Sequence, residues 1–405
     1  MKLQKRRLRR KLWVVVLVIV GALLVAGALV AWSYTNRQTE RVQEQVATPE
    51  APRPISLTSN AVYFGDMYWG RYMNEWSMAS SLKTAYPFSR LNEFNREDYD
   101  AWIVNLECPT VPGLNLTAAQ EEANLSFNCS PDYLPEVAKW FTAVSLANNH
   151  TDNQGTSGFA ATKNQLDNVG VQYFGHYDPA VEEDACDVIA MPVRVTTDQG
   201  GEEGGKIPVA LCGYNGVFKI PPEASLAVME EYSKYMPVLS MPHMGTEYKP
   251  APDTLKQRTY RSMIDHGADM VLGGHPHWVQ TTESYKGHPI IYSMGNFIFD
   301  QQGNSEVERS ASINVVMDVA GVDSELLEKW LALGETCATY KDDCLQQAAA
   351  QNLEKLPVTF KLGVIGGNSG NKITKPATAA QQAAILERMQ WGAMTSQLQP
   401  PYSSL

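Results

Sequence analysis

The stretch "GGHPHWVQ", residues 273–280, sets His275 and His277 one residue apart directly after an apolar run. Four other apolar runs end the same way. "AVYFGD" (61–66) delivers Asp66, "AWIVNLE" (101–107) delivers Asn105 and Glu107, "TAVSLANNH" (142–150) delivers Asn148, Asn149 and His150, and "PVLSMPH" (237–243) delivers His243. One Asp or His in such a place serves as a cap or a turn residue. Five strand ends that all deliver carboxylate, amide or imidazole point to a shared site. Carboxylate, amide oxygen and neutral imidazole together suit a divalent Mn, Fe or Zn. Pro276 holds His275 and His277 on one turn, from which they could reach one or two ions.

The elements that must position these groups are legible in the same runs. Short apolar strands alternate with helical patterns, one following Asn153 to a stop at Gly170, another from Asp253 to His266 with Gly267 just beyond. Such alternation predicts an α/β layered fold with a largely buried sheet, in which ligands gather beyond the carboxyl ends of the strands. Past Val319 the pattern thins. Residues 357–367 read as a strand that completes a sheet, 377–391 as a helix, 322–355 as a disulfide-pinned helical insertion, and the final "QLQPPYSSL" as loose chain.

Residues 1–11 hold seven Lys/Arg and no acid, and 12–32 run 21 residues without a charge. That length crosses a bilayer as a helix, and the basic flank predicts a cytoplasmic N-terminus. Ala26-Gly27-Ala28 also leaves a cleaved signal peptide open. Either reading exports the body. Residues 33–57, rich in charge and proline, read as a stalk. Six cysteines suit an oxidising compartment; the expected pairs are Cys337 with Cys344 and Cys108 with Cys129, whereas Cys186 and Cys212 pair or are simply buried. Beyond residue 11 the chain carries 26 basic against 44 acidic residues. So acidic a body excludes non-specific nucleic-acid binding, and any contact with a polyanion needs a metal or a local basic patch.

The stretches "GDMYWGR" (65–71), "VNLECPT" (104–110), "SLANNHTDNQGTSG" (145–158), "PHMGTEY" (242–248) and 267–301 resemble the CapA-type family of poly-γ-glutamate capsule synthesis. That family in turn resembles calcineurin-like metallophosphoesterases. The resemblance implies an α/β fold, a layered β-sandwich flanked by helices with a dimetal centre at the strand ends, here over residues 58–319 with a C-terminal extension at 320–405. It implies Asp66, Glu107, Asn149, His243, His275 and His277 as metal ligands, and His150 as the catalytic residue that steadies a phosphoryl oxygen. The chain departs from the phosphoesterase pattern at Tyr68, which stands where a histidine is usual. It also departs from the family at Asn153 (usually Asp), Met244 (usually Trp) and Gly274 (commonly His). Tyr68 predicts a weakened second metal position, with a stoichiometry nearer one than two.

Around the site, Asn105, Asn148, Asn296, Asp300 and Arg71 are candidate supporting residues. Asn296 and Asp300 either back the ligands or shape a turn; Arg71 either meets an anionic substrate or forms an ion pair. The expected protein is a single-pass cell-membrane subunit with an extracellular body. Its role would be synthesis or export of poly-γ-glutamate or a similar anionic polymer, beside membrane polymer-synthase subunits. The alternatives are a stand-alone metal-dependent phosphoester hydrolase and a metal-free scaffold of the same fold. Whether it is an enzyme stays open at this point.

Overall fold

In the computed structural model the described residues are 2–43, 51–340 and 343–405. They form two compact units, Met1–Pro52 and Arg53–Leu405. The first is a helix, Lys2–Gln43. Its stretch Leu8–Thr39 is long and apolar enough to cross a membrane and buries nothing. The helix runs on past Trp32 into the expected stalk, whose middle, 44–50, lies outside the described residues.

The second unit is mixed α/β, with a large branched sheet flanked by helices. Its strands among the described residues are β1 (Pro54–Met67), β2 (Ala101–Leu106), β3 (Ala143–Ser145), β4 (Gln172–Phe174), β5 (Cys186–Thr197), β6 (Glu202–Cys212), β7 (Val238–Ser240), β8 (Met270–Leu272), β9 (Thr282–Tyr285), β10 (His288–Ile291), β11 (Asn296–Ile298), β12 (Arg309–Ala320), β13 (Thr359–Asn368), β14 (Lys375–Pro376) and β15 (Tyr402–Ser404). The branch lies in β1. Its first half pairs antiparallel with β5 and β12, and its second half pairs parallel with β2 and β11. Period-two alternation then splits the strand faces between two apolar cores. Ala61, Tyr63, Ala101 and Ile103 enter one; Val62, Phe64, Trp102 and Val104 enter the other.

Each run read from the sequence is a strand here, but β1 starts several residues earlier than its apolar stretch. In β1, residues 55–60 alternate between buried and partly exposed, so no continuous apolar run announces them. The helices Gly155–Val169 and Thr254–Asp265 end as expected, with Gly170 in the left-handed region at φ 72° and Asp253 capping from the side chain. The last residues are not loose. Tyr402 to Ser404 pair parallel with Phe360 to Leu362, and Tyr402 is buried, stacked on Phe360 with its hydroxyl 2.8 Å from His288 Nδ1. A single aromatic flanked by prolines and serines carries no period, which is why composition misses it. All three disulfides form, Cys108–Cys129, Cys186–Cys212 and Cys337–Cys344; the second closes the far end of the β5–β6 ladder.

One glycine decides how the site end of β1 is built. A Cβ on Gly65 would overlap the carbonyl oxygen of Gly295, the same oxygen that accepts from Asp66 N at 3.0 Å. Because the obstructing atom is backbone, it cannot swing away. Gly65→Ala is expected to cost about 3 kcal/mol, the upper end of ordinary overpacking, read from chemical denaturation of the purified body.

Candidate metal centre

Parallel pairing brings the site together before any side chain acts. Asp66 on β1 is in register with Asn105 on β2 and with Asn296 on β11. Isolated bridges then link Asn215 to His243 and His243 to Gly274, which aligns the ends of β6, β7 and β8. Residues far apart in the chain meet here. His243 lies with Nδ1 3.6 Å from Asp66 Oδ1 and Nε2 3.6 Å from Glu107 Oε1. His277 lies with Nδ1 3.6 Å from Asp66 Oδ2 and Nε2 3.9 Å from Glu107 Oε1. The His275 ring sits 4.9 Å from that of His243 and 6.0 Å from that of His277. One donor atom each from Asp66, Glu107 and His277 falls within 4.8 Å of the others, the spread that ligands of one ion occupy at bond lengths of about 2 Å.

These groups are buried, and several are left wanting. Both oxygens of Glu107, Oδ1 of Asn149, Nε2 of His243 and Nδ1 of His275 have no hydrogen-bond partner among the described residues. Five orphaned donor atoms around one point would be costly in a core built only for packing. A divalent cation held among these atoms would supply the missing partner, so the residue types fit the ion their chemistry suggests.

The amides expected in support take that role. Asn105 donates to Asp66 Oδ1 at 2.9 Å, and its own oxygen accepts from Asn148 at 3.0 Å. Asn148 Oδ1 in turn receives the backbone N–H of His150 and of Thr151. Asn296 Oδ1 lies 2.8 Å from His277 Nδ1 while its amide nitrogen donates to Gln301. An amide oxygen can only accept, so His277 carries its proton on Nδ1 and presents a bare Nε2. Arg71 and Asp300 pair with each other in a fork, at 3.0 and 2.7 Å, rather than with the ligands.

Burial sets the charge states. It pushes the Asp66 carboxyl up to about 7, helped by the neighbouring Glu107 charge. Burial likewise lifts Glu107 well above the carboxylate range, with Glu247 adding to it. It drives His243 down to about 4 and His277 to about 3, and lowers His275 further below its ordinary value than its neighbours' charges alone would. Neutral imidazoles are the ligand form. The carboxyls await a cation.

His150 stands beside the cluster, on a cavity of about 430 Å³ that it lines with Glu107, Asn149, His275, His277 and Arg71. Asn153 Oδ1 accepts from Phe127 N at 2.9 Å and lies 3.0 Å from His150 Nδ1. The first bond fixes the orientation of the amide, so His150 holds its proton on Nδ1 and leaves Nε2 bare. Burial lowers it to about 4. At neutral pH this imidazole offers the cavity an acceptor, not the donor that an oxyanion would want. Three residues of this site were not legible in sequence: Lys256, Glu247 on the cavity wall, and Tyr248, which stacks 5.9 Å from His277 at a positive φ of 57°.

Residues 60–197 and 223–301 match the family described as bacterial capsule synthesis protein PGA_cap. The chain belongs to that family. It is 29% identical over 262 residues to the PGA biosynthesis protein CapA of Bacillus subtilis (strain 168), spanning 63% of this chain and 67% of that protein. It is 26% identical over 288 residues to the capsule biosynthesis protein CapA of Bacillus anthracis, spanning 69% and 67%. Among solved structures, TT1561 of Thermus thermophilus aligns over 63% of this chain and 93% of its own at 11% identity and a TM-score of 0.34, a likeness too slight to argue from. Asp66, Glu107 and Asn149 fall in the first segment that matches PGA_cap, and His243, His275 and His277 in the second.

The charge states of this PGA_cap site predict how metal-free protein loses stability in acid. Histidines held near 4 contribute stability above their ordinary 6.5 that is lost as pH falls toward 4. The raised Asp66 works oppositely: its contribution is complete below its ordinary 3.8 and gone once pH passes about 7. Four depressed imidazoles outweigh two raised carboxyls below 6.5; above it the carboxyls are opposed by Lys256, whose charged form burial disfavours in the folded state. Thermal melts with chelator should therefore fall as pH drops from 6.5, the ordinary histidine value, toward 4, with added Mn raising the melting temperature most where the carboxyls are ionised. Separately, Asn153→Asp should raise the His150 pKa by about 2 pH units through a charge at hydrogen-bond distance, seen by NMR titration of the ring.

Proposed function

We propose that this protein is a membrane-anchored, outward-facing subunit supporting synthesis or export of poly-γ-glutamate or a similar anionic surface polymer. We propose further that it binds a transition metal at Asp66, Glu107, Asn149, His243, His275 and His277. The convergence of orphaned, buried donor atoms carries the second statement. The family and the names of the Bacillus relatives support the first. The apolar helix near the N-terminus supports the anchor, and three disulfides suit an exported body.

A bound divalent ion would supply Lewis acidity to an oxygen entering the cavity. The chain's own residues do the remaining work. Asn105 and Asn296 hold Asp66 and His277 in their ligating orientations. Arg71, its Nε and Nη2 spent on Asp300, still borders the cavity, where its remaining edge meets an anionic oxygen. Its guanidinium carbon lies 4.9 Å from the Phe127 ring centroid, so the group is fixed from below as well. His150 accepts a proton at Nε2. That set also serves a second reading, hydrolysis of a phosphoester, with Asn149 and His150 side by side on the cavity as the observation in its favour.

Elemental analysis of protein purified without chelator is expected to give close to one transition metal per chain, and His275→Ala to lose most of it. A body that stays metal-free at near-millimolar Mn or Zn would leave the scaffold reading standing. Release of phosphate from simple phosphoesters by metal-loaded protein, absent in His275→Ala, would favour the hydrolase. Protease applied to intact cells should remove the body and spare a short membrane fragment; a soluble mature chain would sink the anchor.

A further inference from the structure

The helix Thr254–Asp265 has a lysine in its first turn, where the helix dipole opposes a cation. Lys256 does not escape to solvent there. It is fully buried. Its stem passes Gly245, at φ 109°, where a Cβ would lie 2.9 Å from Lys256 Cδ. Its Nζ ends 3.2 Å from Gln280 Oε1, 3.5 Å from the carbonyl oxygen of Gly274, and 5.2 Å from the Tyr260 ring centroid. Burying an ammonium this deeply is expensive unless it is fully engaged, and burial pulls its pKa well below the ordinary lysine value.

What it engages is one particular peptide. The Gly274–His275 peptide group is planar and trans, so its C=O and N–H point opposite ways. The carbonyl faces Lys256, and the N–H faces Asp66, with His275 N 3.3 Å from Asp66 Oδ2. The same unit leads into His275 at φ 87°, a left-handed backbone that a non-glycine residue adopts only under constraint. Gln280, the other partner of Lys256, donates to the carbonyls of Lys249 and Ala251 and so ties down the segment carrying Glu247 and Tyr248.

We propose that Lys256 is a positioning residue of the metal site, gripping the Gly274–His275 peptide so that one face of it orients Asp66 and its far end sets the ring of His275. The proposal rests on the metal reading given above. It assigns a function to a lysine that touches none of the six ligand side chains, acting on them through a single peptide and through Gln280.

The test uses the full chain in detergent and two readouts, Mn(II) affinity by calorimetry and the melting temperature of metal-free protein. Lys256→Met keeps the stem and removes the ammonium. It should weaken Mn(II) binding by about 10- to 100-fold, the usual loss when a group behind a ligand is removed. Its metal-free melting temperature should hold or rise, because a buried charge has been replaced by an apolar group of similar volume. Gln280→Leu, which keeps Lys256, should weaken binding in the same direction, and it decides the matter if Lys256→Met fails to fold. Variants that bind Mn(II) within about threefold of wild type, well short of that loss, overturn the proposal whatever their melting temperature, since a lysine that only supports packing moves stability and spares affinity. A wild-type chain that binds no Mn(II) overturns the metal reading and the positioning role together.

Discussion

Two carboxyl groups, Asp66 and Glu107, are buried side by side at the ends of adjacent parallel strands, and Arg71, the arginine that shares their cavity, is forked onto Asp300 instead. Everything nearby follows from that. Left ionised and unpaired they would cost several kcal/mol each, and left protonated they would waste the position. The surroundings temper the first outcome without abolishing it. Asn105 and the His275 N–H each donate to Asp66, and Lys256 Nζ stands behind the Gly274–His275 peptide. Glu107 receives nothing comparable: both oxygens stay unpartnered among the described residues. The site is therefore incomplete in a directed way, short of positive charge at one point ringed by neutral imidazoles.

The sheet exists to hold that shortage open. Antiparallel pairing along the first half of β1 anchors it between β5 and β12, while the second half exchanges those partners for β2 and β11 and delivers Asp66 to their common end. The exchange needs close backbone contact, which is why Gly65 faces the carbonyl of Gly295 with no room for a side chain. Gly274, just beyond β8, is confined by side chains instead, since a Cβ there would come 2.8 Å from Asp66 Oδ1 and 3.2 Å from His243 Nδ1. A histidine at that position could not enter this arrangement without moving both. Positive φ at His275 and His277 completes the picture: the turn that aims the imidazoles is itself constrained.

The candidate site was legible because each member ends an apolar run, and burial on both faces of a parallel strand writes such runs plainly. Helix limits at Gly170 and Asp253 were legible for the same local reason, a cap or a left-handed stop. What escaped has physical causes. The half-exposed length of β1 alternates too weakly to stand out. β15 buries only Tyr402, and a lone aromatic between prolines and serines has no period. Lys256 escaped because a lysine is presumed solvated; its place in the first helical turn broke a local rule, and that conflict was the available signal. The roles of Asn153 and Asn296 were beyond the sequence altogether, since only hydrogen-bond partners reveal which ring nitrogen keeps its proton.

The aromatic side of the cavity is packed as a unit. The Tyr68 ring lies 5.0 Å from Phe127 and 5.2 Å from Phe299. Phe127 continues on to His150 at 4.3 Å and to Arg71 at 4.9 Å. An aromatic wedge thus fills one side of the cavity, and the same wedge dries the surroundings of His150. Asn153 acts on the same residue, giving it an orientation but no charge to sustain an imidazolium. Tyr68 and Asn153 thus shape the His150 side of the cavity, whereas Gly274 shapes the Asp66 side, where its missing side chain leaves room for Asp66 and His243. An imidazole that stays unprotonated at neutral pH is a poor acid for expelling a leaving group. That weighs against the hydrolytic reading and favours the proposed role in assembling an anionic polymer.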